Sequence, residues 1–248
     1  MEFPAWWTGE DQVTIDSYTD LKDPFKLPSG LESLDKWLQG GFASGRLIEI
    51  YGESGTGKTN LAISLICKAA ALYTHSWYVS TFKPISRSRL EQVGINPAFL
   101  TIRHCSSLPE VDQTLFTDLF QALSHGDPIR LVVLDPVSGL VNEAFSEENA
   151  SDNPAGPSRS QYMTRQAVVL RHLSQKYGFV LLAVNTLVAD TQGGVRPSLG
   201  LTWSNLVNDR FRLIKDSTGR YFQPVFGRNT PSDSLFPFLI TNTGLQAA

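Results

Sequence analysis

The sequence predicts an α/β domain built on a mostly parallel, twisted sheet flanked by helices. Apolar strand-like segments alternate with amphipathic helical segments between residues 47 and 184, and this alternation favours βαβ crossovers. Two of the apolar segments, 129–134 and 179–184, are almost continuous, which is typical of strands buried on both faces of a parallel sheet. Later strand candidates have fewer helices between them, so we expect antiparallel strands toward the C-terminus.

The individual elements follow from the spacing of apolar residues. Leu61, Leu65, Ala69 and Leu72, for example, recur at the three- and four-residue intervals of one helix face. We expect helices over residues 28–38, 58–73, 109–124 and 163–177. We expect strands over residues 47–51, 77–79, 129–134, 179–184, 211–214, 220–225 and 236–241.

The chain divides into an N-terminal arm and one core. Residues 1–26 are aromatic and acidic, with Phe3, Trp6 and Trp7 and one short strand candidate at 13–18, and we interpret them as an arm that contacts a partner or packs on its own core. Residues 27–248 form the predicted core. Segment 141–160 is expected to be a long loop, and loops of that length are usually functional or disordered. Segment 189–197 is a second candidate loop.

Composition excludes several classes of protein. The 248 residues carry a formal net charge of −3 with a pI near 5.8, which excludes a strongly basic nucleic-acid coat protein but not a local basic groove. Two cysteines cannot build a disulfide framework, and no Cys or His cluster has metal-ligand spacing. The start resembles no signal peptide and no apolar run is long enough to span a membrane, so we expect a reduced intracellular protein without a membrane partner.

The strongest motif is a phosphate-binding pattern between a predicted strand and a predicted helix. It consists of Gly52, Glu53, Ser54, Gly55, Thr56, Gly57, Lys58 and Thr59. Glycines let successive backbone N–H groups turn toward phosphate oxygens, and the helix N-terminus adds the positive end of its dipole. Lys58 is placed to reach the β- and γ-phosphates, and Thr59 to offer a hydroxyl to Mg²⁺. The alternative is a glycine-rich turn without a ligand.

A second motif ends the apolar strand at residues 131–135. Asp135 follows four apolar residues, as expected of a carboxylate on the Mg²⁺ side of the site at the carboxyl edge of the sheet. The alternative is a turn or cap residue before Pro136.

These motifs lie in a longer resemblance. Residues 27–41 and 45–59 resemble the ATPase core of the RecA/RadA recombinase superfamily, most closely the eukaryotic Rad-type recombinase paralogues. Residues 198–205 with 208–213 are similar to the strand that follows the second DNA loop of those paralogues, and residues 238–245 to their closing strand. The resemblance therefore implies a RecA-like P-loop ATPase core.

The resemblance also implies binding partners for particular residues. It implies ATP at residues 52–59 with Arg89 near the adenine, and Mg²⁺ supported by Thr59 and Asp135. It places segments 141–160 and 189–197 where relatives carry DNA-facing loops. The candidate DNA contacts are Arg159, Arg165, Gly193, Gly194 and Arg196. The pair Arg210 and Arg212 is a further phosphate candidate, and for each arginine, Arg89 included, a solvated surface position is the alternative.

Two departures from the family pattern concern ATP hydrolysis. Relatives that hydrolyse ATP well carry Thr-Glu after the second strand, whereas this chain has Thr81 and Phe82 there, and residues 60–90 contain no Asp or Glu at all. Relatives also carry Asn-Gln after the fourth core strand, whereas Asn185 is followed here by the shorter Thr186. We therefore assign no catalytic residue, and we expect weak or partner-dependent ATP hydrolysis.

The combined interpretation is an accessory factor in homologous-recombination DNA repair. It would act in the nucleus with a recombinase filament and another recombinase paralogue on single-stranded DNA. One alternative is a pseudo-ATPase scaffold that binds nucleotide only to hold a paralogue partner. Another is a P-loop small-molecule kinase, which segment 198–205 and the lack of an arginine-rich lid disfavour. Trp203, in that segment, is interpreted as a core residue rather than a base-stacking one.

Overall fold

A nine-stranded mixed sheet with helices on both faces organises the chain. The computed structural model describes residue 4 and residues 24–146, 157–190, 193–227, 234–241 and 244–248. The strands are β1 Lys26–Leu27, β2 Phe42–Ala43, β3 Leu47–Gly52, β4 His75–Ser80, β5 Leu100–His104, β6 Ile129–Asp135, β7 Val180–Asn185, β8 Leu187–Ala189, β9 Val195–Pro197, β10 Asp209–Lys215, β11 Arg220–Phe226, β12 Phe236–Thr241 and β13 Gly244–Ala247. The helices are α1 Glu32–Trp37, α2 Lys58–Ala71, α3 Arg87–Gln92, α4 Leu108–Gln113, α5 Leu119–Ser124, α6 Gly139–Ala144, α7 Arg159–Tyr177 and α8 Gly200–Leu206.

The strand order confirms the predicted fold class. The main sheet runs β13-β12-β11-β10-β3-β7-β6-β4-β5. The strands from β10 through β3 to β5 pair in parallel, and β10 to β13 pair antiparallel. Strand β3 lies near the centre, and all six of its residues are buried. Since β3, β4, β6 and β7 run in one direction, the residues that follow them meet at one carboxyl edge, where open α/β sheets bind ligands.

Each face of the sheet carries its own apolar core. One core lies under α1, α2 and the C-terminal strands, and the other lies under α4 to α8. Helix α2 contributes Leu61, Leu65 and Ala69 to the first core, all at 0% exposure, as the three- and four-residue spacing predicts. Helices α4 and α5 join through one wider π-helical turn at Thr114–Asp118, so the predicted single helix over 109–124 is confirmed as one helical segment.

Helix ends follow their local chemistry. Helix α7 begins with a capping box, in which the Ser158 hydroxyl accepts from the Gln161 N–H and the Gln161 side chain accepts from the Ser158 N–H. It ends at Gly178, whose φ of 71° lies in the left-handed region that favours glycine. Helix α2 differs, because Gly57 precedes it without a side-chain cap. Its first N–H groups are therefore left for another acceptor.

The structure differs from several sequence predictions. Residues 200–206 form helix α8, so only the second half of the predicted strand region 198–213 is a strand. The predicted loop 189–197 is bounded by β8 and β9, which pair as an antiparallel ribbon. Segment 141–160 begins inside α6 and ends inside α7. The predicted closing strand is a hairpin of β12 and β13.

Two further predictions concern residues that lie wholly or partly outside the described ranges. Phe3, Trp6, Trp7 and the strand candidate at 13–18 lie outside the described residues, as do positions 147–156 of the long loop, so the arm stays a prediction. The boundary between residues 26 and 27 also stays a prediction, although Lys26 already pairs with Ala43 in β1 and β2. In the described part of the chain, no helix is long and apolar enough to cross a membrane.

Candidate nucleotide site

The glycine-rich loop leaves the sheet at the carboxyl end of β3. Gly52 is packed so closely against the end of β10 that a Cβ there would lie 2.4 Å from the carbonyl oxygen of Leu213. Gly55 and Gly57 have φ values of 77° and 112°, which side-chain-bearing residues rarely adopt. The sequence pattern therefore matches the backbone that the loop requires, and helix α2 begins at Lys58 directly after it.

The Lys58 ammonium lies inside the curve of the loop. Its Nζ donates to the carbonyl oxygens of Gly52 and Glu53, both at 2.7 Å. Burial lowers the pKa of Lys58, and the nearby carboxylates of Asp135 and Glu53 act in the opposite direction. An anion would stabilise this half-buried ammonium further, because hydrogen bonds to charged phosphate oxygens are stronger than those to neutral carbonyl oxygens.

Asp135 comes to the same place from the end of β6. Its side chain is largely buried, and its Oδ2 accepts hydrogen bonds from the Thr59 hydroxyl at 2.8 Å and from the Tyr78 hydroxyl at 2.6 Å. The structure thus brings Asp135 to the adjacent residues Lys58 and Thr59, although 76 positions separate Asp135 from Thr59. Burial, followed by the Asp135 charge, raises the pKa of Tyr78, so its phenol stays a neutral donor at physiological pH.

The donor set of this cluster suits Mg²⁺. Thr59 offers a hydroxyl oxygen and Asp135 a carboxylate oxygen, which are the hard ligands that Mg²⁺ takes together with substrate phosphates. The described residues contain no group of three or more His, Cys, Asp or Glu side chains that could hold a metal by themselves. A metal at this position would therefore come with the nucleotide.

Arg89 lies on α3 and reaches the flank of the loop. Its guanidinium donates to Asn60 Oδ1 at 2.8 Å on α2, to Gln92 Oε1 at 2.9 Å and to the Thr241 carbonyl at 3.4 Å on β12. Its side chain is half-buried. Arg89 therefore ties together three elements beside the start of α2.

The two positions that depart from the hydrolysis pattern of the family lie at the neighbouring strand ends. Phe82 follows β4 and is 70% exposed, with the Lys83 ammonium 5.5 Å from the ring centre. Asn185 ends β7 and is fully buried, where it donates to Glu49 Oε1 at 2.6 Å and to the Ser198 carbonyl at 2.9 Å. The Thr186 hydroxyl lies 2.9 Å from that of Ser138. No carboxylate occupies the position of Phe82.

Glu49 is the centre of a buried polar cluster that the sequence analysis did not find. It is 0% exposed in the middle of β3 and accepts from Asn185, from the Trp203 indole N–H at 2.9 Å, and from Arg210 Nε. Trp203 is 2% exposed, which confirms its core position. The sequence did contain a signal for this cluster. Glu49 is a charged residue in a strand predicted to be buried, and a buried charge requires a buried partner.

The predicted DNA contacts separate into two groups. Arg196 and both glycines, Gly193 and Gly194, lie exposed on the β8–β9 ribbon. Arg159 lies at the start of α7 and donates to Asn142 Oδ1 at 2.7 Å, and the Asn142 amide donates in turn to the Ser198 hydroxyl at 2.8 Å. Through Asn142, Arg159 therefore links the end of segment 141–160 to Ser198, the residue that directly follows segment 189–197.

Two other arginines face inward. Arg165 forms an ion pair with Asp112 and stacks over the rings of Phe116 and Tyr162, with its side chain 16% exposed. Arg210 pairs with Glu49 as described above. Because Arg165 pairs with the partly buried Asp112 and Arg210 with the fully buried Glu49, we do not include either arginine in the proposed DNA surface.

Comparison with known proteins identifies similar chains. The family model described as the RecA N-terminal domain matches residues 17–191. The DNA repair protein XRCC3 homolog of Arabidopsis thaliana is 26% identical over 90% of this chain and 93% of its own length. The DNA repair and recombination protein RadB of Archaeoglobus fulgidus is 25% identical over 70% of this chain and 76% of its own. Protein RecA of Porphyromonas gingivalis is 31% identical, but the chain spans only 39% of its length.

Proposed function

The chain belongs to the RecA N-terminal domain family, and from this we propose that it is an ATP-binding recombinase paralogue that assists homologous-recombination DNA repair. The observation that carries the proposal is the cluster of Lys58, Thr59 and Asp135 at the mouth of the glycine-rich loop. The N–H groups at the start of α2 and the Lys58 ammonium would bind the phosphates. Arg89 would border the adenine.

Mg²⁺ would be held by Thr59 and Asp135 together with the phosphates. Once bound, the ion neutralises phosphate charge. Lys58 would supply further positive charge to the phosphates. These residues account for binding and charge neutralisation, but they do not orient an attacking water.

We expect the isolated chain to hydrolyse ATP at least about 100-fold more slowly than a competent recombinase. Hydrolysis needs a water held in line with the γ-phosphate, and a positioned proton acceptor commonly contributes that factor or more. Phe82 cannot accept a proton, and the Thr186 side chain is too short to replace a glutamine. Steady-state phosphate release by the purified chain, with and without single-stranded DNA, measures the rate.

The Lys58→Ala variant gives the background for this assay. Turnover at the level of a competent recombinase, abolished by Lys58→Ala, would contradict the prediction. It would mean that a carboxylate elsewhere in the chain orients the attacking water. A rate that rises only when a partner protein is added would instead support partner-dependent hydrolysis.

We also propose that the chain acts inside a complex, in the nucleus, with a recombinase filament and a second recombinase paralogue. The support comes from the names of two relatives, an XRCC3 homolog named for DNA repair and RadB named for repair and recombination. Residues 1–26 would supply a partner contact, since three large aromatics lie within their first seven positions. The pseudo-ATPase scaffold stays the alternative, favoured by the absence of a carboxylate at Phe82.

Single-stranded DNA is proposed to lie along the β8–β9 ribbon, with Arg196 and Arg159 toward the phosphates. In the complex purified from its own cells, we expect Arg196→Ala to reduce the salt dependence of DNA affinity by about 0.7 in the slope of log K against log salt, the value for one phosphate contact on a single strand. Fluorescence anisotropy with a labelled oligonucleotide at several salt concentrations measures the slope.

Lys176→Ala serves as the matched control. Lys176 is exposed near the C-terminal end of α7, at the opposite edge of the sheet from the ribbon, and its loss changes the net charge equally. Equal slopes for both variants would exclude a local contact at Arg196. A complex that keeps its partners but binds no DNA would support the scaffold alternative.

A further inference from the structure

We propose that Tyr78 is a positioning residue that fixes the Asp135 carboxylate for the Mg²⁺ ion of a bound nucleotide. The inference rests on the proposed function, because it concerns how that same site takes its metal. Tyr78 lies on β4 and Asp135 ends the neighbouring strand β6. The residue directly beside Asp135 in the register is Ser80, two positions further along β4. The Tyr78 ring therefore extends toward the carboxyl edge to place its hydroxyl at Asp135.

The two oxygens of Asp135 have different surroundings. Oδ2 accepts from both Thr59 and Tyr78, whereas no hydrogen bond from the described residues reaches Oδ1. Two donors on one oxygen fix the rotation of the carboxylate and leave the other oxygen for the metal side. Hydrogen bonds of this kind orient the carboxylates that serve metals.

The two donors differ in what else they must do. Thr59 is itself a proposed metal ligand, so its hydroxyl is shared between Asp135 and the ion. Tyr78 is 1% exposed in the core beneath α2, where its ring is held by packing, and its hydroxyl donates to Asp135 without being a proposed metal ligand. Tyr78 is therefore the donor that keeps Asp135 in place whether or not the metal is bound.

The test is the Tyr78→Phe variant of the full chain, which removes one hydroxyl and keeps the ring. Binding of a ribose-labelled fluorescent ATP analogue is followed while Mg²⁺ is titrated. We expect the Mg²⁺ concentration at half-maximal effect to rise about 10-fold or more, as when outer hydrogen bonds to metal ligands are lost. Affinity for the analogue in excess chelator should not change, because Tyr78 does not face the phosphates directly.

Tyr162→Phe provides a matched control within the same chain. Tyr162 is also buried, at 5% exposure, and its hydroxyl also donates to a carboxylate, Asp112 Oδ1, at 3.0 Å. That bond joins α7 to α4, on the opposite face of the sheet from α2. Removing it should leave the Mg²⁺ midpoint unchanged.

Each outcome decides between named possibilities. An unchanged midpoint in Tyr78→Phe, or equal shifts in both variants, would overturn the role of Tyr78 while leaving ATP binding intact. Failure of the unmodified chain to bind the analogue at any Mg²⁺ concentration would instead overturn the proposed function. If Tyr78→Phe does not fold, NMR of the unmodified chain decides. In the presence of Mg²⁺ and ATP, the Tyr78 hydroxyl proton should exchange slowly with water, and fast exchange would contradict the inference.

Discussion

Replacing Lys58 with alanine is expected to weaken ATP binding about 100-fold, the scale of one strong charge-assisted hydrogen bond. The ammonium is half-buried and already points into the loop, 2.7 Å from two carbonyl oxygens, so little reorganisation precedes phosphate binding. Without it, the phosphates would meet the N–H groups of α2 but no cation from the loop. Isothermal titration calorimetry with ATP and Mg²⁺ measures the change.

Lys68→Ala is the control for this variant. Lys68 lies on the same helix α2, in its last turn and exposed to solvent, so its loss changes the net charge of the same element. We expect it to leave ATP affinity unchanged. Equal affinity of Lys58→Ala and the unmodified chain would mean that the glycine-rich loop does not bind phosphates.

Replacing Arg210 with methionine is expected to lower the free energy of unfolding by about 3–5 kcal/mol, the usual cost of removing one partner from a buried ion pair. Glu49 has 0% and Arg210 10% of its side chain exposed. Methionine would fill much of the volume of the arginine stem, so the loss comes from the charge. Glu49 would keep its bonds from Asn185 and Trp203, but those donors are neutral and cannot balance its charge.

Urea denaturation followed by far-ultraviolet circular dichroism measures this loss. Lys215→Met is the control, because Lys215 lies exposed at the end of the same strand β10 and should change the unfolding free energy by less than about 0.5 kcal/mol. A loss below about 1 kcal/mol for Arg210→Met would show that the Glu49–Arg210 pair is accessible to water in solution.

The conformation of the glycine-rich loop was predictable because it is set by local sequence. Residues 52–59 are contiguous, and their glycines stand where the backbone takes left-handed or closely packed conformations. The position of Asp135 was predictable because it directly follows four apolar residues of a strand. Tyr78 was not, because its role depends on a contact across 57 positions between neighbouring strands.

Other elements were missed for identifiable physical reasons. Residues 200–206 carry Thr202 and Trp203, which favour strands, but burying Trp203 against Glu49 outweighs that local preference. Strand β5 was not predicted because it lies at the sheet edge, where Arg103 and His104 are exposed and weaken its apolar signal. The Glu49–Arg210 pair spans 161 positions, and nothing local marks the two residues as partners.

The hairpin of β12 and β13 packs against a helix that is synthesised much earlier. The Leu245 N–H donates to the Ser64 hydroxyl on α2 at 2.8 Å, across 181 positions. At about 5–20 residues per second, a ribosome needs roughly 10–35 s to add that stretch. Throughout this interval α2 would lack its neighbour, so the apolar residues of α2 that pack against the hairpin in the folded protein would stay accessible to chaperones.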